Sequence, residues 1–439
     1  MTDERILIMK QITAHFRSVT PLFLGGAENT IETELRPASI KGVLRFWWRT
    51  LQWGKGIQDS ASLKKEEDAL FGSSEKGQSQ FLLTVEYQQK PDEIRQGSVL
   101  SRDGSGSAPG FSKNKDKDIV GDGARYLGYG LMEAFPSKKR NTKAGQLNRP
   151  CFAAPFEFTV QIAFRNNLEE TKIAEVADTL NLLGLCGGLG SRSRRGWGSL
   201  TLTKLVKNLD GEKTIWTAPT TLEEYESKLR IIAGSQKDKD QTLPDWTAFA
   251  TGLSKIVLLQ DSVNSPLETL DKMGRDFVFF RSWGKNGKVL NKPREGNFQF
   301  DHDLFRKLPP RNRHTEHPQR IVFGLPQNYG RYEQDQVLPA SENLTRRSSP
   351  LFFHVHQIVP NDPPIGVLTY LPSRFLPAEK DRVKFGGSPV GLAHGGVGDF
   401  WKPAEDFFNR IKSADGNHPV TPPLKPSTVR FEQTKEVIL

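Results

Sequence analysis

Apolar and polar positions alternate over the first stretch of the chain. Ile6, Ile8, Ile12 and Phe16 share one side of a period-two repeat, the pattern of a strand with one buried face. TPLFLGGAE then turns the chain through Gly25 and Gly26. In SIKGVLRFWWRTLQW the period changes: Ile40, Val43, Leu44, Trp47 and Leu51 recur at helical spacing, with Ser39 placed as a cap. Lys41, Arg45 and Arg49 fall at i, i+4 and i+8 on the opposite side. Phe81, Leu83, Val85 and Tyr87 alternate again and predict a returning strand.

From about residue 90 to 150 the pattern is lost. SRDGSGSAPGFSKNKDKD is typical of this stretch, and so long an unpatterned segment is expected to be an inserted loop region, functional or mobile. Alternation resumes at Phe156, Phe158, Val160, Ile162 and Phe164. A helix follows on Ile173, Val176, Ala177, Leu180 and Leu183, and Leu200 and Leu202 begin another strand. Residues 1–206 thus read β-α-β, an insertion, then β-α-β, the order of a ferredoxin-like or RRM-like α+β sheet with helices on one face. A polar connecting segment at 207–250 leads to a second half, 251–439. There IVLLQ, IVFGLP, LFFHVHQIV and IGVLTYL read as strands with helices between them, a divergent second copy. A length of 439 residues agrees with two domains, since single cores stop growing near 250–300 residues.

Composition narrows the function. Hydrophobic residues at 36%, with 27 phenylalanines, supply enough apolar material to order large domains. A net charge of +10 points to a polyanionic partner, because Lys and Arg gain free energy by displacing counterions from phosphates. No apolar run nears the roughly 20 residues that span a bilayer, and MTDERILIMK lacks the basic-then-apolar order of a secretion signal, so no membrane partner and a cytoplasmic setting are expected. Cys151 and Cys186 lack CxxC spacing and are expected to be buried thiols.

The most informative segment is GLCGGLGSRSRRGWGSL, between a helix and a strand. Gly188, Gly190 and Gly196 allow a close main-chain approach to phosphates, and Arg192, Arg194 and Arg195 can pair with them bidentately, with Trp197 as a stacking face. The bland alternative is a flexible turn with solvated arginines. A P-loop lysine is missing and the dinucleotide fingerprint breaks at its third glycine, so no nucleotide cofactor is expected. The helical stripe of Lys41, Arg45 and Arg49 has no acid interleaved within it, and Trp48 stands at its margin where a base could stack. Otherwise the stripe is a solvated face and Trp48 closes the core. Asp301, His302, Asp303, His314 and His317 are residue types that bind metals, but their loop-like, basic surroundings argue against a metal. His354 and His356 share one face of a strand expected to be half-exposed.

TPLFLGGAE, ELRPASIKGVLRFWWR and GGLGSRSRRGWGSL together resemble the RAMP subunits of the Cmr, or type III-B CRISPR, effector complexes, specifically the first-subunit family. FGLP from Phe323 and RRSSPLFFHVH extend the resemblance into the second half. It implies tandem ferredoxin-like, RRM-related domains that bind guide RNA near its 3′ end and the matching target RNA beside other Cmr subunits, with cleavage assigned elsewhere. Carried over by position, the basic surface comprises Lys41, Arg45, Arg49, Arg192, Arg194 and Arg195, with Arg346 and Arg347 added from the second half. KFGGSPVGLAHGGVGDFW lacks loop arginines, so no second phosphate cradle is expected. Two rival expectations remain. One is a metal-independent endoribonuclease using His15 and Lys41. The other is a scaffold whose basic surface docks proteins.

Overall fold

Strand β1, Gln11–Ser18, buries Ile12, Ala14 and Phe16 and turns Gln11, Thr13 and His15 the other way. The structure, a computed structural model, describes residues 10–26, 32–57, 59–107, 118–209, 211–233, 243–262, 265–307, 316–329, 336–341, 343–376, 382–385, 388–392 and 397–439. Ile6 and Ile8 lie outside the described residues. Helix α1, Pro37–Gly54, begins earlier than predicted: Pro37 occupies the first turn, where its missing N–H is no loss, and no side chain caps the helix, Ser39 included. Helix α2, Ser60–Phe71, was not expected. Asp59 caps it by accepting from Ala61 N and Ser62 N at 3.1 and 2.9 Å.

β2 is Phe81–Glu86, β3 Phe156–Phe164 and β4 Leu200–Asn208, with helix α4, Glu170–Cys186, between the last two. The sheet is antiparallel in the order β2-β3-β1-β4, and β5, Glu212–Thr217, extends it past β4. The segment read as a connector therefore belongs partly to the first unit. Helix α5, Leu222–Ala233, completes it by packing on α4, with the Tyr225 hydroxyl donating to the Leu185 carbonyl.

The second unit repeats this connection order. β6 is Lys255–Gln260, α6 Pro266–Arg281, α7 Gln299–Lys307, β7 Leu351–His356, β8 Ile365–Tyr370, α8 Val397–Lys412 and β9 Gln433–Ile438. Its main sheet runs β7-β8-β6-β9, so in both units the second, third, first and fourth principal strands lie side by side. IVFGLP is no strand. Its residues 321–323 end a 3₁₀ turn, Gln319–Phe323.

The apolar runs of the second half explain how the units stack. β7 and β8 are buried at every position, which happens when both faces of a sheet are covered. Ile256, Leu258, Phe352, Ile365 and Val367 point into the first unit's helical layer, where Leu183 and Trp47 lie. Val257, Leu259, Phe353, Val355 and Leu368 point the other way, toward Met273, Phe277 and Phe407 of α6 and α8. The layers are sheet, helices, sheet, helices, and of the two main sheets, among the described residues, the first keeps an open face.

The insertion is built into this stack. Glu93–Ile94 pairs with Cys151–Phe152, and Val99–Leu100 with Gly106–Ser107. Helix α3, Asp122–Leu127, lies against α6: Asp271 Oδ1 accepts from Gly123 N at 2.7 Å and Ala124 N at 3.2 Å. A Cβ on Gly123 would fall 2.2 Å from Arg275 N, so only glycine permits this approach. The described part of residues 90–150 is thus a packed bridge between the units. Cys151 and Cys186 are buried thiols, as expected, and burial raises both, Cys186 to about 12. No described helix is long and apolar enough to cross a membrane.

His354 and His356 are fully buried rather than half-exposed, because the face they share is the one β7 turns to the first unit. His354 Nδ1 donates to the Gly187 carbonyl at 2.7 Å and His356 Nε2 to the Pro219 carbonyl at 3.0 Å. Burial, with each other's proximity for His354, lowers them to about 3 and about 4. Both fold neutral. An unfolded imidazole titrates near 6.5, so their contribution is complete above that pH and is lost as pH falls toward 4. Urea unfolding should therefore lose on the order of 2–4 kcal/mol between pH 7 and pH 5, and His356→Gln should flatten the profile. A wild-type profile that is flat over this range would contradict the assignment.

Candidate nucleic-acid interface

The glycine- and arginine-rich segment leaves α4, folds back on the turn after β1 and enters β4. Ser191 N donates to Phe23 O at 2.9 Å, Gly198 N to Pro21 O at 3.0 Å, and Thr20 Oγ1 to Gly196 O at 2.7 Å. Two motifs far apart in sequence are therefore one structure. Gly190 has φ +78° and a Cβ there would sit 2.4 Å from Phe23 O; one on Gly188 would meet Gly198 O at 2.6 Å, and one on Gly196 the Leu270 side chain at 2.3 Å. These glycines serve packing of chain on chain. That packing by itself accounts for glycine at these three positions.

The three loop arginines divide. Arg192 is exposed and holds φ +63°, the left-handed region in which non-glycine residues are uncommon. Arg194 is half-buried, its guanidinium 4.8 Å from the ring centre of Phe46 and 4.6 Å from that of Phe352, donating to Ser349 O at 3.3 Å. Arg195 lies 5.3 Å from the ring centre of Phe277 and 5.7 Å from that of Phe353 and donates to Phe323 O at 3.4 Å. Its Nη1 is enclosed without a partner. Arg194 and Arg195 are therefore committed to the seam between units, where aromatic faces replace lost water. Trp197 is buried at 0% exposure and is withdrawn as a stacking face for a base.

Around them stand more guanidiniums. Arg281 of α6 donates to the Tyr126 hydroxyl at 2.7 Å and to Gln327 Oε1 at 2.6 Å. Burial and then Arg347 push Arg194 down to about 10. Burial and then Arg281 push Arg195 down to about 9, still cationic at neutral pH. Burial alone would raise the Tyr126 hydroxyl, but Arg281 and Arg195 outweigh it and hold it below its usual value. Arg192 is lowered by burial and by Arg346, and Arg149 by burial and by Arg192. Arg346 is exposed, whereas the Arg347 guanidinium is taken up by Phe375 O at 2.6 Å, Thr247 Oγ1 at 3.3 Å and the Ser373 hydroxyl, which makes it an anchor. Among the described residues, no carboxylate pairs with Arg149, Arg192, Arg194, Arg195, Arg281, Arg346 or Arg347.

Sequence reasoning missed Arg149, Arg281 and Tyr126, which come from the insertion and α6. A usable signal did exist: no Asp or Glu occurs between Asp178 and Asp210, nor between Glu342 and Asp362, the two stretches that meet here.

The helical stripe is corrected too. Glu67 of α2 reaches Arg45 at 3.0 Å and Arg49 at 2.8 Å, an acid invisible within the stripe because another helix supplies it. Arg45 also donates to the Phe71 and Gly72 carbonyls, and Lys41 lies 5.3 Å from the Phe81 ring centre. Trp48 is fully buried with Nε1 on Glu175 Oε2 at 3.1 Å. Lys41, Arg45, Arg49 and Trp48 thus fasten α1 to its neighbours.

His15 faces a cavity of about 580 Å³ on the open face of the first sheet, lined also by Glu86, Lys90, Asp92, Asp103 and Glu157. Lys41 belongs to the helix-covered face, so β1 separates the pair a nuclease would need. The carboxylates also make this face unfavourable for phosphates. Asp301 is spent on Gln319 N at 2.7 Å, Arg320 N and Nε at 3.0 Å each, and the Tyr329 hydroxyl. His302 stacks on Trp283 with ring centres 3.9 Å apart, and His314 lies outside the described residues. No group of three metal-binding side chains occurs among the described residues.

A family model for the RAMP superfamily matches residues 15–201. The CRISPR system Cmr subunit Cmr1-2 of Pyrococcus furiosus is 30% identical over 200 residues, which cover 44% of this chain and 95% of that protein. Cmr subunit Cmr1-1 of the same organism is 24% identical over 353 residues, 80% of this chain and 84% of the relative. The apo crystal structure of Cmr1 from Pyrococcus furiosus overlays with a TM-score of 0.46 at 18% identity, covering 84% of this chain and 89% of that one.

Two substitutions separate fastening from surplus charge. Glu67→Ala leaves Arg45 and Arg49 without their acid and should lower unfolding free energy by about 1–3 kcal/mol without altering nucleic-acid affinity. Arg195→Met keeps length and apolar contact but deletes an unneutralised charge, so the urea midpoint should stay level or rise. A clear fall for Arg195→Met would mean that the guanidinium stabilises the seam.

Proposed function

Because this chain belongs to the RAMP superfamily, among the Cmr subunits of the type III-B CRISPR system, we propose that it grips RNA within such a complex and does not cut it. The observation that carries the reading is the group of seven arginines at the seam with which no carboxylate pairs among the described residues. Like charges this close repel, and an arriving phosphate relieves that repulsion while releasing counterions. Arg192 and Arg346 are the exposed members and take phosphate first. Arg149, Arg194 and Arg195 lie behind them and raise the local potential.

Two further points support the assignment. The backbone-directed surface offers no array of base-reading side chains, as suits a system in which guide–target pairing reads the sequence. The separation of His15 from Lys41 by the first sheet removes the pair on which the nuclease reading stood. We take guide RNA and target RNA as the bound strands and other Cmr subunits as neighbours. We divide the chain into two diverged ferredoxin-like, RAMP-type domains, the first ending after α5 rather than at residue 206.

The test is a titration of labelled single-stranded RNA with the purified chain in EDTA over a salt series. Expected is intact RNA and a log K that falls by roughly 0.7 per phosphate contact as log salt rises. Arg192→Glu with Arg346→Glu should weaken binding at least about tenfold and flatten that slope. RNA cleavage in EDTA, or unchanged affinity in the double variant, would overturn the proposal.

A further inference from the structure

The insertion places an aromatic ring at the edge of the arginine group. Tyr129 is 68% exposed in the turn after α3, although the residues around it are held firmly. Gly128 N donates to Ala124 O at 2.9 Å, Leu131 N to Gly128 O at 2.8 Å and Asn148 N to Leu131 O at 2.8 Å, while Leu131 and Met132 are buried. Arg125 Nε reaches forward to Ala134 O at 2.9 Å. The turn also rests on the glycine- and arginine-rich loop: a Cβ on Gly128 would lie 2.8 Å from Trp197 Nε1, and one on Gly130 3.7 Å from Arg192 Nη2. Tyr129 lies near enough to Arg192 to favour that guanidinium's charged form against the effect of burial. A large apolar ring is thus left in water on a turn with little freedom, beside the most exposed loop arginine.

The geometry points to Tyr129 as a stacking platform for an unpaired nucleobase of the RNA strand whose phosphates lie on Arg192 and Arg346. The assignment rests on the RNA-gripping reading and adds the base to it. A tyrosine ring stacks on any base, so the contact is tolerant of sequence. Its two side-chain torsions and the anchored turn keep the entropy cost of immobilising it low. Trp197, expected to stack on a base itself, instead forms the wall on which the Tyr129 turn is seated. The same arrangement explains why the insertion is clamped to α6 by Asp271 and by the Gly123–Gly274 contact. A platform that drifted would lose its register with the arginines.

The experiment compares a mixed-sequence single-stranded RNA with an abasic ribose–phosphate strand of equal length. Tyr129→Ala should weaken the RNA complex about tenfold and leave the abasic complex unchanged, Tyr129→Trp should restore RNA affinity, and Arg192→Glu with Arg346→Glu should weaken both. Unchanged RNA affinity in Tyr129→Ala, with the arginine variant still impaired, overturns the stacking role and leaves the parent reading standing. Equal weakening on both strands also overturns it, in favour of a hydroxyl–phosphate contact. Weakened assembly with other Cmr subunits at unchanged RNA affinity overturns it in favour of a protein contact. If the arginine variant binds both strands normally, the parent reading fails first.

Discussion

Strand β7 has nowhere to go but into the other unit. It is an edge strand of the second sheet, and its outer N–H groups find acceptors in the first unit: Phe353 N on Arg194 O at 3.0 Å, Val355 N on Ser199 Oγ at 3.1 Å and Gln357 N on Thr201 Oγ1 at 3.2 Å. An unpaired edge is a liability, and here the glycine- and arginine-rich loop and the start of β4 cover it. The same strand sends His354 and His356 into the first unit on one face, and Phe353 toward α6 on the other. Most of the rest follows from that pairing, including the four-layer stack and the positions of Arg194 and Arg195.

The pairing also concentrates charge. To lie along β7, the loop must bring Arg194 and Arg195 against Phe46, Phe352, Phe277 and Phe353, close to Arg281 and Arg347. Aromatic faces and backbone carbonyls compensate for part of the desolvation, and among the described residues no carboxylate completes it. Elsewhere the same chain neutralises buried arginine fully, as where Arg410 meets Asp276 and Glu295 at 2.9 and 2.6 Å. The contrast within one molecule is what the proposed anion-binding role accounts for, since charge left unneutralised costs stability and attracts an anion.

Cores and interface thus divide the work. The first sheet's open face carries carboxylates and His15, the helical layers carry the packing, and the positive potential gathers where insertion, loop and second unit converge. In the proposed reading such a surface takes the backbone of a strand, and the aromatic ring at its edge adds a sequence-tolerant contact to a base.

The local patterns of the chain were enough for β1, β3, α4 and β4, because a strand with one buried face or an amphipathic helix writes its period directly into neighbouring residues. The apolar runs of β7 and β8 announced strands but not burial on both sides, since the face carrying His354 and His356 was expected to be half-exposed and is buried by the first unit. What no local pattern could contain was which element would be the neighbour. Glu67 neutralises Arg45 and Arg49 from a separate helix, so a stripe that looks unpaired is paired. Trp197 and Arg195 look like surface chemistry in GSRSRRGWG and become interior because β7, about 150 residues later, closes over them. The insertion lacked any period because its order comes from contact with α6 and the loop, not from a buried stripe of its own. The sequence by itself determined the strongly periodic elements β1, β3, α4 and β4, the excess of positive charge and the acid-free stretches. The tertiary structure decided which arginines meet water, since exposure belongs to pairs of surfaces and not to positions along a chain.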